Sequence, residues 1–108
     1  MSGAVEKEKE IQRITNQIKK KYKPEKIILF GSCAWGKPNK DSDVDLFIVK
    51  KTKEVRTKRH LKVDRMLLDR IIPLDILVYT PEEIKERILL GDFFIKNIMR
   101  QGKILYAK

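Results

Sequence analysis

The stretch KIILFGSCAWGKPNKDSDVDLFIVK, residues 26–50, decides how this chain is read. Its opening run, Lys26 to Phe30, is short, apolar and β-branched, and is bounded by Pro24 and Gly31. Those features predict a buried strand rather than a helix. Gly31 to Ser42 is dense in turn formers, namely Gly31, Ser32, Gly36, Pro38, Asn39, Asp41 and Ser42. Ser32 is placed to cap one short helical turn before Gly36. Val44 to Lys50 then predicts a second strand. Side chains alternate across a strand, so Val44, Leu46 and Ile48 share one face and Asp43, Asp45, Phe47 and Val49 the other.

Outward from this core the periodicity changes. Residues 6–22 carry Ile11, Ile14, Ile18 and Tyr22 at spacings of three and four, which is one apolar stripe on a helix, and Pro24 ends it. Residues 54–70 predict a second helix, with Val63, Met66, Leu67 and Ile71 on its apolar side. Pro73 to Tyr79 predicts a third strand. Thr80-Pro81-Glu82-Glu83 is a helix start: Thr80 as cap, Pro81 at the first helical position, Glu83 three residues after the cap. Gly91 interrupts that helix, and Asp92 to Arg100 resumes it with Phe94, Ile95, Ile98 and Met99. Lys103 to Tyr106 predicts a short edge strand. Strands alternating with helices imply an α/β (α+β) fold, a small sheet packed with helices.

At 108 residues the chain is expected to be a single domain over 1–108, loose at 1–5, with its motif core at about 26–79. Hydrophobic residues make up 42%, enough for one core, and charged residues 37%. Twenty-five Lys and Arg against 15 Asp and Glu give a net charge of +10. That balance suits a polyanionic partner such as nucleic acid, a nucleotide or an acidic protein face. It equally suits a lysine-rich, heat-adapted surface, and the composition leaves both readings open. One cysteine, Cys33, excludes a disulfide scaffold and points to the cytoplasm. One His and one Cys cannot build a structural zinc site. No apolar run approaches membrane-spanning length, and Met1 to Glu10 is polar rather than signal-like.

Three carboxylates fall in or beside the apolar strands. Asp43 and Asp45, two apart, point to one face. Asp75 lies within Pro-Leu-Asp-Ile-Leu-Val, where an unpaired carboxylate is costly. A divalent cation would remove that cost, and carboxylates from two strands suit Mg²⁺, which takes oxygen ligands. Taken singly, each Asp has an ordinary reading as a turn residue or a partner for one of the many Lys and Arg. Taken together they are harder to dismiss. The pattern Gly31-Ser32, ten residues, Asp43, one residue, Asp45 would arise by chance on the order of once per thousand chains of this size. Gly31 permits close backbone approach, and free N–H groups with the Ser32 hydroxyl can receive phosphate oxygens. The same residues resemble a P-loop, Gly31-x4-Gly36-Lys37, but Pro38 stands where a Ser or Thr should reach Mg²⁺, and a loop follows instead of a long helix. That reading is rejected.

Gly31-Ser32-x10-Asp43-x-Asp45, with Asp75 on a later strand, resembles the minimal nucleotidyltransferases of the DNA polymerase beta superfamily. Within it the chain is most similar to the MntA-like antitoxins, which pair with HEPN-domain toxins and transfer AMP from ATP to a tyrosine of the partner. The resemblance implies a mixed sheet, two Mg²⁺ ions and ATP as substrate. It implies that Asp43 and Asp45 hold the metals, Asp75 the catalytic metal, and Gly31 and Ser32 the triphosphate. Many members read Gly-Ser-x-Ala-Arg-Gly, whereas Trp35 stands at the Arg position here. Lys37 and Lys40 are the candidates to replace that charge.

The expected function is therefore Mg²⁺-dependent transfer of AMP to a hydroxyl, with a tyrosine of a HEPN toxin as favoured acceptor. Two alternatives stand beside it. One is a non-catalytic subunit that neutralises its partner by contact, and the other is transfer to RNA or a small molecule. His60, within Lys58-Arg59-His60-Leu61-Lys62, reads as exposed. Cys33 reads as a packed thiol, and Lys19-Lys20-Lys21 as a solvated helix face.

Overall fold

The computed structural model describes residues 3–35 and 43–108. The stripe of isoleucines forms α1 (Gly3–Tyr22), whose Ile14 and Ile18 are fully buried. The helix starts at Gly3, so part of the segment expected to be loose is helical. It ends where Lys23 takes a left-handed φ of 53° ahead of Pro24. Lys50 Nζ donates to the Tyr22 and Lys23 carbonyls at 2.7 and 3.2 Å, so a cation satisfies the helix's last acceptors.

The chain continues through β1 (Lys26–Phe30), the single turn α2 (Ser32–Trp35), β2 (Val44–Val49), α3 (Arg56–Met66) and β3 (Leu74–Tyr79). It finishes with α4 (Pro81–Leu89), α5 (Phe93–Gln101) and β4 (Lys103–Ala107). The sheet order is β3-β2-β1-β4. β1 is antiparallel to both β2 and β4, and β2 is parallel to β3 across the α3 crossover. The result is a small mixed α/β sheet with helices on both faces. One face packs Ile27, Leu29, Val44, Leu46, Ile48, Ile76 and Val78 against α1 and α3. The other packs Ile28, Phe30, Phe47 and Val49 against Ile84 of α4 and Ile95 and Ile98 of α5. The alternation expected for the second strand is thus the observed one.

α3 is shorter than the periodicity over 54–70 predicts. It stops at Met66, and the Arg70 N–H to Leu67 carbonyl bond (3.1 Å) marks the turn that feeds β3. Ile71, expected on the apolar side, lies past that turn and is exposed. The predicted start at Thr80 is a complete capping box, with Glu83 N–H donating to the Thr80 hydroxyl (3.1 Å) and Thr80 N–H to the Glu83 carboxylate (2.8 Å).

Two ion pairs pin the layers. Glu10 accepts two bonds from Arg13, each 2.7 Å, and one from the Ile71 N–H at 3.0 Å, tying α1 to the approach to β3. Arg59 is buried between α3 and α4, donating to Glu83 Oε1 at 2.6 Å and to the Glu54 and Val78 carbonyls. The Arg13 hydrogen bond is the main reason the Glu10 carboxyl sits below its ordinary value; burial opposes it and the Ile71 N–H supports it. Burial pushes the Glu83 carboxyl up, but the Arg59 and Thr80 hydrogen bonds and the charges of Arg59 and Arg56 leave it lowered overall. A lowered acid stabilises the fold above its unfolded pKa, and that contribution disappears as pH falls through the folded value. The melting temperature is therefore expected to drop on acidification below about pH 4.5, the ordinary value for both groups. Glu10→Gln and Glu83→Gln should each start less stable near neutrality and show a shallower drop in a pH series of thermal melts.

Candidate active site

β1 delivers the chain to a tight turn. Gly31 takes φ +77°, a conformation that side-chain-bearing residues rarely adopt. The Ala34 N–H closes the turn on the Gly31 carbonyl at 3.0 Å. Ser32 is the exposed first residue of α2. The Cys33 thiol donates to the Asp43 carbonyl at 3.3 Å, which ties the turn to the entry of β2. Cys33 is half-buried and packs against the core, as expected of it, and this tie is a role the sequence did not suggest.

Register then assembles the carboxylates. Asp45 faces Phe30 across the antiparallel pair and Asp75 across the parallel one. Its carboxylate occupies the space that a Cβ at position 31 would need. The missing side chain at Gly31 and the carboxylate at Asp45 are thus one arrangement. Asp45 is half-buried, while Asp43 and Asp75 are exposed. The expectation that Asp75 would bear the cost of an apolar setting is corrected here. β3 is an edge strand and Asp75 stands near its open start, so the cost falls on Asp45. Burial, then the charges of Asp75 and Asp43 and a hydrogen bond with Asp75, push the Asp45 carboxyl up.

This is a crowded anionic site of oxygen donors, and that donor set fits a hard divalent cation. Among the described residues no three carboxylate, imidazole or thiol groups converge into a ready-made cage. Mg²⁺ does not require one, because it is commonly held by one or two carboxylates with water and substrate phosphate. Lys37 and Lys40 lie outside the described residues, as does the side chain of Trp35. His60 is exposed on α3, as its sequence context implies.

Sequence reasoning missed an aromatic chain on the same sheet face as Asp45 and Asp75. Tyr79 stacks on Phe47 at 5.1 Å between ring centroids, Phe47 meets Phe30 edge-on at 6.5 Å, and Phe30 meets Phe94 edge-on at 5.8 Å. Phe30 immediately precedes Gly31, so the chain links the carboxylate turn to the start of α5. The one local signal was the run of large apolar residues ending at the glycine.

Comparison with known proteins is consistent with this geometry. The family model described as Polymerase beta, Nucleotidyltransferase matches residues 12–108. A Methanocaldococcus jannaschii protein named "Putative protein adenylyltransferase MJ0604" is 31% identical over 102 residues, spanning 92% of this chain and 97% of its own length. The crystal structure of a "putative nucleotidyltransferase" from Sulfolobus solfataricus superposes with a TM-score of 0.68 at 20% identity, covering 100% of this chain and 90% of that one. The last likeness concerns the fold alone.

Proposed function

The chain belongs to the polymerase beta nucleotidyltransferase family, and from that premise we propose that it transfers AMP from ATP to a hydroxyl of a protein, with a tyrosine of a HEPN-type toxin as the acceptor. The observation that carries the catalytic part is the placement of Asp45 beside Asp75 and against the Gly31 turn. The protein acceptor rests on the name carried by the Methanocaldococcus jannaschii relative and on the resemblance to MntA-like antitoxins.

In this mechanism the acceptor oxygen forms a bond to the α-phosphorus while the bond to the bridging oxygen breaks and pyrophosphate leaves. Asp43, Asp45 and Asp75 would hold Mg²⁺, two ions in the family pattern, and the metal would supply charge neutralisation on the phosphates when bound. The Ser32 hydroxyl, exposed at the turn, is available to a triphosphate oxygen, and Gly31, whose missing side chain makes room for the Asp45 carboxylate, sets that hydroxyl beside the acids. A carboxylate oxygen of Asp75, exposed on its edge strand, takes the acceptor's proton and passes it to water. Positioning and fixed charge provide most of the acceleration in such transfers.

The test is incubation with α-labelled ATP, Mg²⁺, a cognate HEPN protein and RNA together. Label on the protein, mapping to tyrosine, is the expected result. Label on RNA, which the +10 charge would favour, would replace the acceptor. A toxin neutralised without label would establish a binding subunit instead. Among the described residues no helix is long and apolar enough to cross a membrane. We place the activity in the cytoplasm, where ATP and Mg²⁺ are supplied.

A further inference from the structure

The corner between α4 and α5 displays Leu89, Leu90, Phe93 and Phe94 at 79%, 70%, 76% and 54% exposure. Single exposed apolar residues are ordinary, but four within six positions form a patch of the kind that marks an interaction site. The core does not rest on Leu89, Leu90 and Phe93, since α4 buries Ile84 and α5 buries Ile95 and Ile98, while Phe94 covers the edge of Phe30 and leaves about half of itself exposed. Nor is the corner a slack loop. Gly91 N–H donates to the Ile88 carbonyl and Asp92 N–H to the Arg87 carbonyl, each at 3.0 Å. Asp92 caps α5 through the Ile95 N–H (3.1 Å) and pairs with Arg87 at 2.9 Å. A Cβ at Gly91 would meet nothing within 4 Å, so the turn faces open space. The patch is held rigid and presented outward, which lowers the ordering cost of binding.

We propose that this corner is the docking surface for the protein acceptor, and that the acceptor meets it with apolar side chains beside an acidic strip. The proposal rests on the protein-acceptor reading above. Continuity with the site supports it: Phe94 packs on Phe30, and Phe30 is both the register partner of Asp45 and the neighbour of Gly31. A protein seated on Phe94 is therefore one ring away from the residue that pairs with Asp45. Charge selects the partner's chemistry. Beyond its cap, α5 carries Lys96 and Arg100 with no carboxylate, and Lys103 follows at the start of β4. Outside the ion pairs, the exposed charges of α4, α5 and the start of β4 are Lys85, Lys96, Arg100 and Lys103 against Glu82 and Glu86, the last of these one turn ahead of Leu90, so cations outnumber acids around the corner. A second copy of the chain is disfavoured as occupant because each copy brings a net charge of +10.

The probes are two synthetic amphipathic helical peptides, each with a leucine stripe and one tyrosine, one flanked by Glu and the other by Lys. The chain is compared with the triple variant Leu89→Ser, Leu90→Ser, Phe93→Ser, whose substituted side chains are exposed. The acidic peptide should shift the amide resonances of residues 88–94 in NMR titrations. The Lys peptide and the triple variant should each bind about tenfold or more weakly, the loss expected when interface anchors are removed, with ATP affinity of the variant unchanged. Shifts elsewhere, equal binding of both peptides, or undiminished binding by the triple variant would overturn the proposal. So would a dimer of the chain in sedimentation that the triple variant abolishes, since the occupant would then be a second copy. Labelled ATP added to the same mixtures separates the two levels. Acidic peptide bound at the corner but never labelled leaves the docking surface standing and counts against the acceptor reading.

Discussion

Asp45→Asn is expected to abolish nucleotidyl transfer. A cation holding developing phosphate charge is worth several kcal/mol, so losing a principal ligand should cost on the order of a thousandfold in rate. The fold should survive. Asp45 is a half-buried carboxyl pushed up by burial, by the charges of Asp75 and Asp43 and by a hydrogen bond with Asp75. A neutral isostere removes that repulsion, so the melting temperature without metal should stay level or rise. A clear fall would identify a structural carboxylate instead. Asp75→Asn should behave differently, because Asp75 is exposed on the edge strand and is assigned to the acceptor's oxygen more than to the triphosphate. It should bind ATP within a few-fold of the unaltered chain yet transfer nothing measurable, whereas Asp45→Asn should lose both. Lost turnover with retained ground-state binding is the signature of a group acting in the transition state. Calorimetry with a non-hydrolysable ATP analogue beside a labelled transfer assay reads the split, and equal loss of binding in both variants would refute it.

Gly31→Ala should be nearly as damaging, and Gly91→Ala supplies its control. Both glycines have a left-handed φ, +77° and +84°. An alanine in that region costs about 1–2 kcal/mol in backbone strain, a fall in melting temperature of several degrees for a domain of this size. At Gly91 strain is the whole expected effect, because the space around it is open. At Gly31 the new methyl would fall on the Asp45 carboxylate, so either the turn or the carboxylate must move. Placement errors at a reacting centre are costly even when small, on the order of a hundredfold for about 1 Å. Gly31→Ala should therefore lose roughly a hundredfold or more in transfer to a free phenolic acceptor, which needs no docking surface, and also lose stability, while Gly91→Ala loses stability alone in that assay. Comparable activity in the two variants would show that the contact between position 31 and Asp45 is unimportant to the chemistry.

Much of this architecture was legible because local patterns settled it. The isoleucine stripe of α1, the alternation in β2 and the capping box at Thr80 are each decided by residues within a turn or two of one another. What stayed hidden depends on distant partners. Arg59, flanked by Lys58 and His60, reads as part of a charged helix face. It is buried because Glu83, 24 positions on, and two backbone carbonyls take its donors. The overlong expectation for α3 has the same origin, since apolar spacing cannot tell where the chain must turn to reach β3. At the site, the spacing of Gly31, Asp43 and Asp45 was readable, whereas the pairing of Asp45 with Asp75 required the parallel register of β2 and β3. Phe94 reads as part of one apolar stripe with Ile95 and Ile98, yet it is half exposed while they are buried, because periodicity reports a stripe and not what covers it.

The parallel pairing of β2 with β3 also bears on when activity can arise. The two strands sit on either side of a helix, so their contact closes a long loop and belongs to the slower class of folding events. A slip of one residue in that register would send Asp75 to the opposite face of the sheet, away from Asp45. Chains that have collapsed without settling this alignment would hold every catalytic side chain and still lack the site. Nucleotidyl transfer by the proposed site would thereby be confined to molecules whose sheet is correctly aligned.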